Sequence, residues 1–248
     1  MNDSIHNYER RLVVFFDFLG WKGRIEGAGE DPILVSALAR ALTLVSTTFT
    51  DSLTKDDDVV WTSFSDNVVV SWTYGLDKLS AVIEGLCRLQ LGMAVMGFYI
   101  RGGLTVGSLI HIRNKIVFGP ALNRAYELES RYANFPRIIL DPNVPELAIN
   151  SFCIAQDEEF TFLNPFSYEF ISHACTNLNV SAQGASALNE HVGIEFIQPS
   201  ADILVPFIAE LYMRARSEFD KAPSARIREI YGWLLERLNQ TVGDIPSD

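Results

Sequence analysis

The stretch Leu12-Val13-Val14-Phe15-Phe16-Asp17-Phe18-Leu19-Gly20-Trp21 decides the architecture. Residues 12–16 form a continuous apolar run of strand length, and such a run is buried on both faces at the centre of a sheet. Asp17 then ends a buried strand, where an ionised carboxylate must be paired because bare burial is too costly. After a polar loop, Asp31-Pro32 supplies a helix cap and a first-turn proline. Ile33, Leu34, Ala37, Leu38, Ala41, Leu42, Val45 and Phe49 recur at helical spacing and predict an amphipathic helix. Residues 59–64 and 68–72 are β-rich and joined by Ser65-Asp66-Asn67, which is hairpin chemistry.

Further along, residues 79–96 predict a second long helix and 99–112 a strand with Gly102, Gly103 and Gly107 where side chains would obstruct a neighbour. Gly119-Pro120 breaks the chain and opens a helix through 131, and 137–140 form a short strand. The order predicts an α+β fold, with helices on one side of a mainly antiparallel sheet. Residues 152–162 predict a strand pair and 165–195 carry weak signals. Two helices close the chain, the last starting near Ser224 with Ile227, Ile230, Tyr231, Leu234 and Leu238 on its apolar face. The expected organisation is a core over residues 1–142 and a C-terminal extension, 143–248, packed on it.

Composition narrows the function. With 248 residues, 48% hydrophobic and 21% charged, the chain has enough apolar content for a packed core rather than disorder. A net charge of −11 argues against nucleic acid or an anionic membrane surface as partner. The longest uncharged apolar stretch, 91–100, is half of what a membrane helix needs, and the N-terminus lacks the apolar core of a signal peptide. Cys87, Cys153 and Cys175 are odd in number without metal-like spacing, which fits a reducing cytoplasm. Asp56-Asp57-Asp58 reads as a solvated turn, and the glycines of 101–107 lack the Gly-Lys-Ser/Thr of a P-loop. His6, His111, His173 and His191 are scattered, and none is assigned as ligand or base.

If the first strand lies beside the hairpin, Asp17 and Asp66 meet at one edge of the sheet. Two hard oxygen ligands there suit Mg2+ or Mn2+ when substrate phosphates complete the shell. On spacing alone a plainer reading also stands, with Asp17 a helix cap and Asp66 a turn residue.

Four blocks resemble class III nucleotide cyclases in order and spacing: Phe16-Asp17-Phe18-Leu19-Gly20-Trp21, Phe64-Ser65-Asp66-Asn67-Val68-Val69-Val70, Ile100-Arg101-Gly102-Gly103-Leu104-Thr105-Val106-Gly107 and Phe118-Gly119-Pro120-Ala121-Leu122-Asn123. The resemblance covers roughly residues 10–142 and is nearest to the pyrimidine cyclases of bacterial Pycsar antiphage systems. It implies a class III cyclase-like, ferredoxin-like sheet. It implies two divalent ions, Mn2+ or Mg2+, on Asp17, Asp66 and the Phe18 carbonyl. One ion would activate the ribose 3′-hydroxyl for attack on the α-phosphorus and the other would hold the triphosphate. Amides of Leu19, Gly20 and Trp21 would take phosphate oxygens, with Gly20 letting the backbone approach closely.

The resemblance further implies a homodimer with composite sites, the strand 99–112 and the helix after Pro120 facing the partner. Its product would act on a separate effector in antiphage defence. Departures from the family's pattern choose the substrate. Where adenylate cyclases carry Lys and Asp to read the base, this chain has Thr62 and Ile116, so a pyrimidine is expected, UTP ahead of CTP. Asn123 matches the ribose-orienting asparagine, but four residues on Glu127 replaces the transition-state arginine. Arg124 and Arg131, on the same helix face as Glu127, are candidates to replace it. Arg101 can serve the triphosphate or a structural salt bridge. Glu127 also keeps open a catalytically silent nucleotide-binding dimerisation module.

Overall fold

The computed structural model describes residues 7–48, 59–175 and 201–245. They fall into two compact units, one running through Leu163 and one starting at Asn164.

Strand β1 (Glu9–Phe18) takes the centre that its apolar run requires, with Leu12, Val13, Val14 and Phe16 all buried. It pairs antiparallel with β3 (Asn67–Thr73) on one side and β4 (Ile100–Ile112) on the other. Strand β2 (Val60–Phe64) completes the hairpin with β3, giving the order β2-β3-β1-β4. The intervening helices are α1 (Trp21–Ala28), α2 (Pro32–Thr47) and α3 (Leu76–Val95). This β-α-β-β-α-β succession with its antiparallel order is the ferredoxin-like pattern. The fold is α+β, as the residues indicate.

The sheet continues past β4. Strand β5 (Ile116–Phe118) folds back on it, and β6 (Ile138–Leu140) joins it in parallel. The short pair β7 (Ile154–Gln156) and β8 (Thr161–Leu163) extends from β6. The first unit therefore includes residues 143–163, which the sequence reading assigned to the extension. These strands complete the ladder that β6 would otherwise leave open.

Helices cover both faces of the sheet, not the one face expected. Phe18 packs on Trp21 of α1 and Phe98 just beyond α3. The opposite face, with Val13 and Phe15, meets Ala121 and Ala125 of α4 (Pro120–Glu127). Two missing side chains permit this. A Cβ at Gly103 would lie 2.4 Å from the Leu128 Cβ, and one at Gly107 3.2 Å from that of Ala121. Instead of running as α-helix to 131, α4 ends at Glu127 and widens into a π turn, Leu128–Tyr132. Leu104, Val106 and Leu109 of β4 are buried within the chain.

Asp31 caps α2 through the Ile33 and Leu34 amides. Of that helix's apolar stripe Ala41 and Val45 are buried, but Ile33 and Leu34 stay exposed, and Phe49 lies outside the described residues, as do 56–58, His6 and His191. In the second unit, helices Ala201–Asp220 and Ala225–Gly243 bury Leu204, Ile208, Leu211, Leu234 and Leu238, and Ser224 caps the last helix. Residues 168–175, in the weakly signalled region, are helical. Among the described residues no helix is long and apolar enough to cross a membrane.

Candidate functional site

Asp17 is the last but one residue of β1, directly opposite Arg101 on β4. The guanidinium takes both carboxylate oxygens, Nε to Oδ1 at 3.0 Å and Nη2 to Oδ2 at 3.2 Å. Asp17 caps no helix: Gly20, in the left-handed region at φ +73°, is the residue that precedes α1. The same Arg101 Nη2 lies 2.9 Å from Oε1 of Glu129, a buried residue of the π turn. Burial, then the Asp17 charge, push Glu129 up to about 7; Arg101 pulls the other way and Asp66 adds to the rise. One carboxyl thus feels both aspartates, which sit at one end of the sheet.

The strand register agrees. The β1–β3 pairing ends at Phe16 opposite Val68, and its next steps bring Asp17 and Phe18 alongside Asn67 and Asp66. The Leu19 amide donates to the Tyr99 carbonyl, so alternation turns the Phe18 carbonyl away from β4 and toward the hairpin tip. That bond also occupies the Leu19 amide, which removes it from the expected set of phosphate donors. The Gly20 and Trp21 amides, at the start of α1, have no protein acceptor among the described residues.

Two carboxylates, Asp17 and Glu129, face the Arg101 guanidinium, and Asp66 lies within electrostatic reach of Glu129, so acidic groups outnumber the one cation at this end of the sheet. Hard oxygen donors in that condition fit a divalent cation. Among the described residues no group of three or more His, Cys, Asp or Glu is placed to hold a metal by itself. Two protein carboxylates with phosphate oxygens completing the shell is the arrangement that remains compatible.

Thr62 and Ile116, the two positions expected to read the base, lie close together. Both line a cavity of about 410 Å³ together with Trp61, Ser63, Asn114, Lys115 and Val117. Behind Thr62 runs a polar chain that sequence reading missed. The Thr62 Oγ1 is 2.9 Å from His111 Nε2, and His111 Nδ1 is 2.9 Å from Ser71 Oγ. Ser71 Oγ in turn accepts from Arg11 Nε at 2.9 Å. Its one sequence signal is polar residues, Arg11, Ser71 and His111, on strands whose neighbours are apolar.

Burial, and after it the Arg11 charge, push His111 down to about 4. Its ordinary value is 6.5, so between those limits the unfolded chain binds a proton that the folded chain refuses. The stability this confers is complete above pH 6.5 and is lost as pH falls toward 4. The expected loss is on the order of 3 kcal/mol. Denaturant melts across that window check it: His111→Gln should flatten the acid limb, and an unchanged slope would contradict the assignment.

The remaining candidates do not join either cluster. Arg124 is committed to Asp141 Oδ1, at 2.9 Å from Nε and 2.7 Å from Nη2, and also reaches Glu127 at 3.1 Å. Arg131 holds the other Glu127 oxygen at 3.0 Å on the surface, and Asn123 is exposed on α4. Glu127 thus ties both arginines that were candidates to replace it.

No protein-family model and no curated sequence matches the chain. Among solved structures, a bacterial light-regulated adenylyl cyclase is similar at 17% identity and a TM-score of 0.46, over 64% of this chain and 92% of its own. Adenylate cyclases from Trypanosoma brucei in their monomeric state align at 11% identity and a TM-score of 0.47, over 66% and 94%. An adenylate/guanylate cyclase/hydrolase from Silicibacter pomeroyi aligns at 12% identity and 0.43, over 64% and 99%. Likeness at this depth assigns no substrate and no residue a role.

Proposed function

We propose that the protein is a nucleotidyl cyclase of the class III kind, converting a pyrimidine nucleoside triphosphate, UTP in preference to CTP, to its 3′,5′-cyclic monophosphate and diphosphate. The observation that carries this reading is the shared end of the sheet at Asp17 and Asp66, both within electrostatic reach of Glu129. Asp17, Asp66 and the Phe18 carbonyl would hold Mn2+ or Mg2+, which supply charge stabilisation at the triphosphate and the 3′-oxygen.

The chain's own groups do the rest. The Gly20 and Trp21 amides bind phosphate oxygens at the α1 N-terminus. Arg101, which lies between Asp17 and Glu129, would serve the triphosphate. Arg131, whose partner Glu127 is on the surface, is the more available arginine for the developing charge, since Arg124 is pinned to Asp141. Asn123, exposed on α4, orients the ribose from a second copy of the chain, so that two composite sites form in a homodimer. Thr62 and Ile116 contact the base in the cavity they share. The product is a soluble messenger for a separate effector, in the manner of antiphage signalling in the cytoplasm.

Purified protein incubated with each of the four ribonucleoside triphosphates and Mn2+, and resolved by chromatography, tests the reading. Cyclic UMP as main product is expected. Purine product alone overturns the pyrimidine assignment. No product from any nucleotide would favour a silent nucleotide-binding dimerisation module, a reading supported by the Glu127 clamp on Arg124 and Arg131.

A further inference from the structure

The polar chain behind the base cavity has a direction. Arg11 is only a donor, so Ser71 Oγ accepts from it. Ser71 is fully buried, and the acceptor within reach of its own hydroxyl hydrogen is His111 Nδ1 at 2.9 Å. The opposite arrangement, His111 donating to Ser71, would strand that buried hydrogen without an acceptor, at a cost of about 1–3 kcal/mol. Nδ1 is therefore the acceptor and the neutral ring carries its hydrogen on Nε2. Nε2–H then donates to Thr62 Oγ1. The Thr62 oxygen is used as an acceptor within the protein, and its hydrogen is left to point into the cavity.

We propose that Arg11, Ser71 and His111 are positioning residues that fix the Thr62 hydroxyl as a hydrogen-bond donor, so that the cavity selects a base with a carbonyl at the 4-position over one with an amine. This rests on the pyrimidine cyclase reading above and turns its preference for UTP into a mechanism. Uracil presents a carbonyl oxygen where cytosine presents an NH2 group, and a donor meeting that NH2 finds no lone pair. Lys115, in the same wall, is likewise donor-only and adds to the preference for carbonyl oxygens. The burial of Arg11, Ser71 and His111, at 3%, 0% and 8% exposure, shields the order of donors from water. The low proton affinity of His111 agrees with a neutral ring.

The test compares kcat/KM for UTP and CTP in the wild type, Ser71→Ala, Ser71→Thr and Thr62→Val, with melting curves to confirm folding. The wild type should prefer UTP by about 10- to 100-fold. Ser71→Ala frees the imidazole to take the other tautomer, and the ratio should fall to within about threefold of unity. Ser71→Thr, which keeps the hydroxyl, should restore it, and Thr62→Val should abolish it. A ratio unchanged in Ser71→Ala overturns the proposal. The imidazole nitrogen shifts of His111 provide a readout that does not depend on turnover: the Nε2–H tautomer is expected, and the Nδ1–H tautomer overturns the proposal. If no nucleotide is cyclised, the cyclase reading fails on its own. The relay is then judged by those shifts and by equilibrium binding of UTP against CTP, where equal affinities count against it.

Discussion

Asp66→Ala is expected to lower cyclic nucleotide formation by about 10³-fold while leaving the protein folded. The side chain at the hairpin tip makes one weak contact, accepting from Asn67 Nδ2 at 3.4 Å, so its removal costs the fold little. Its proposed work lies in holding a divalent ion, and losing several kcal/mol of charge stabilisation in the transition state corresponds to a change of that size. Turnover of UTP with saturating Mn2+, beside a thermal melt, separates the two quantities. Activity within tenfold of wild type would remove Asp66 from the machinery. A lost activity accompanied by a lost fold would contradict the weak structural role assigned to it. Asp17→Ala should be equally damaging to activity but more damaging to stability, because Arg101 and Glu129 are then left in a buried corner with their charges rearranged.

Gly103→Ala is the largest expected effect on stability. The added Cβ would lie 2.5 Å from the Ala125 carbonyl oxygen and 2.4 Å from the Leu128 Cβ. Both belong to the α4–π-turn segment, and one is backbone, so no side-chain rotation relieves the clash. Overpacking of this kind costs about 3 kcal/mol. The segment must lift from the sheet, and Glu129, one residue beyond Leu128, moves away from Arg101. Denaturant melts should show the loss, and a midpoint close to wild type would show that α4 is not seated as described. Gly107→Ala provides the internal contrast, since its Cβ would meet Ala121 at 3.2 Å, a gap that a small shift accommodates.

The apolar run 12–16, the cap Asp31 and the hairpin around Asp66 were legible because each rests on local chemistry. A continuous hydrophobic strand, a side chain reaching an amide two residues on, and a turn with its own residue preferences all act within a few positions. The same holds for Gly103 and Gly107, whose crowding could be anticipated though not the neighbour that causes it.

Contacts distant in sequence were not legible. Glu129 gives no sign of being buried beside Asp17, because the chain between them, 112 positions from 17 to 129, carries no periodic signal of that meeting. His111 looks like any solitary strand histidine until Ser71, 40 positions away, and Thr62, 49 positions away, are brought to its two nitrogens. The side of the sheet that α4 covers was misjudged for the same reason: amphipathic spacing says that a helix has a buried face, not which surface buries it. Sequence alone determined the central strands and long helices, their order and the two acidic positions, because periodicity and turn chemistry are short-range. The tertiary structure decided which charges share a corner, which hydroxyl donates and which face each helix takes, because electrostatics and packing depend on distance in space and not along the chain.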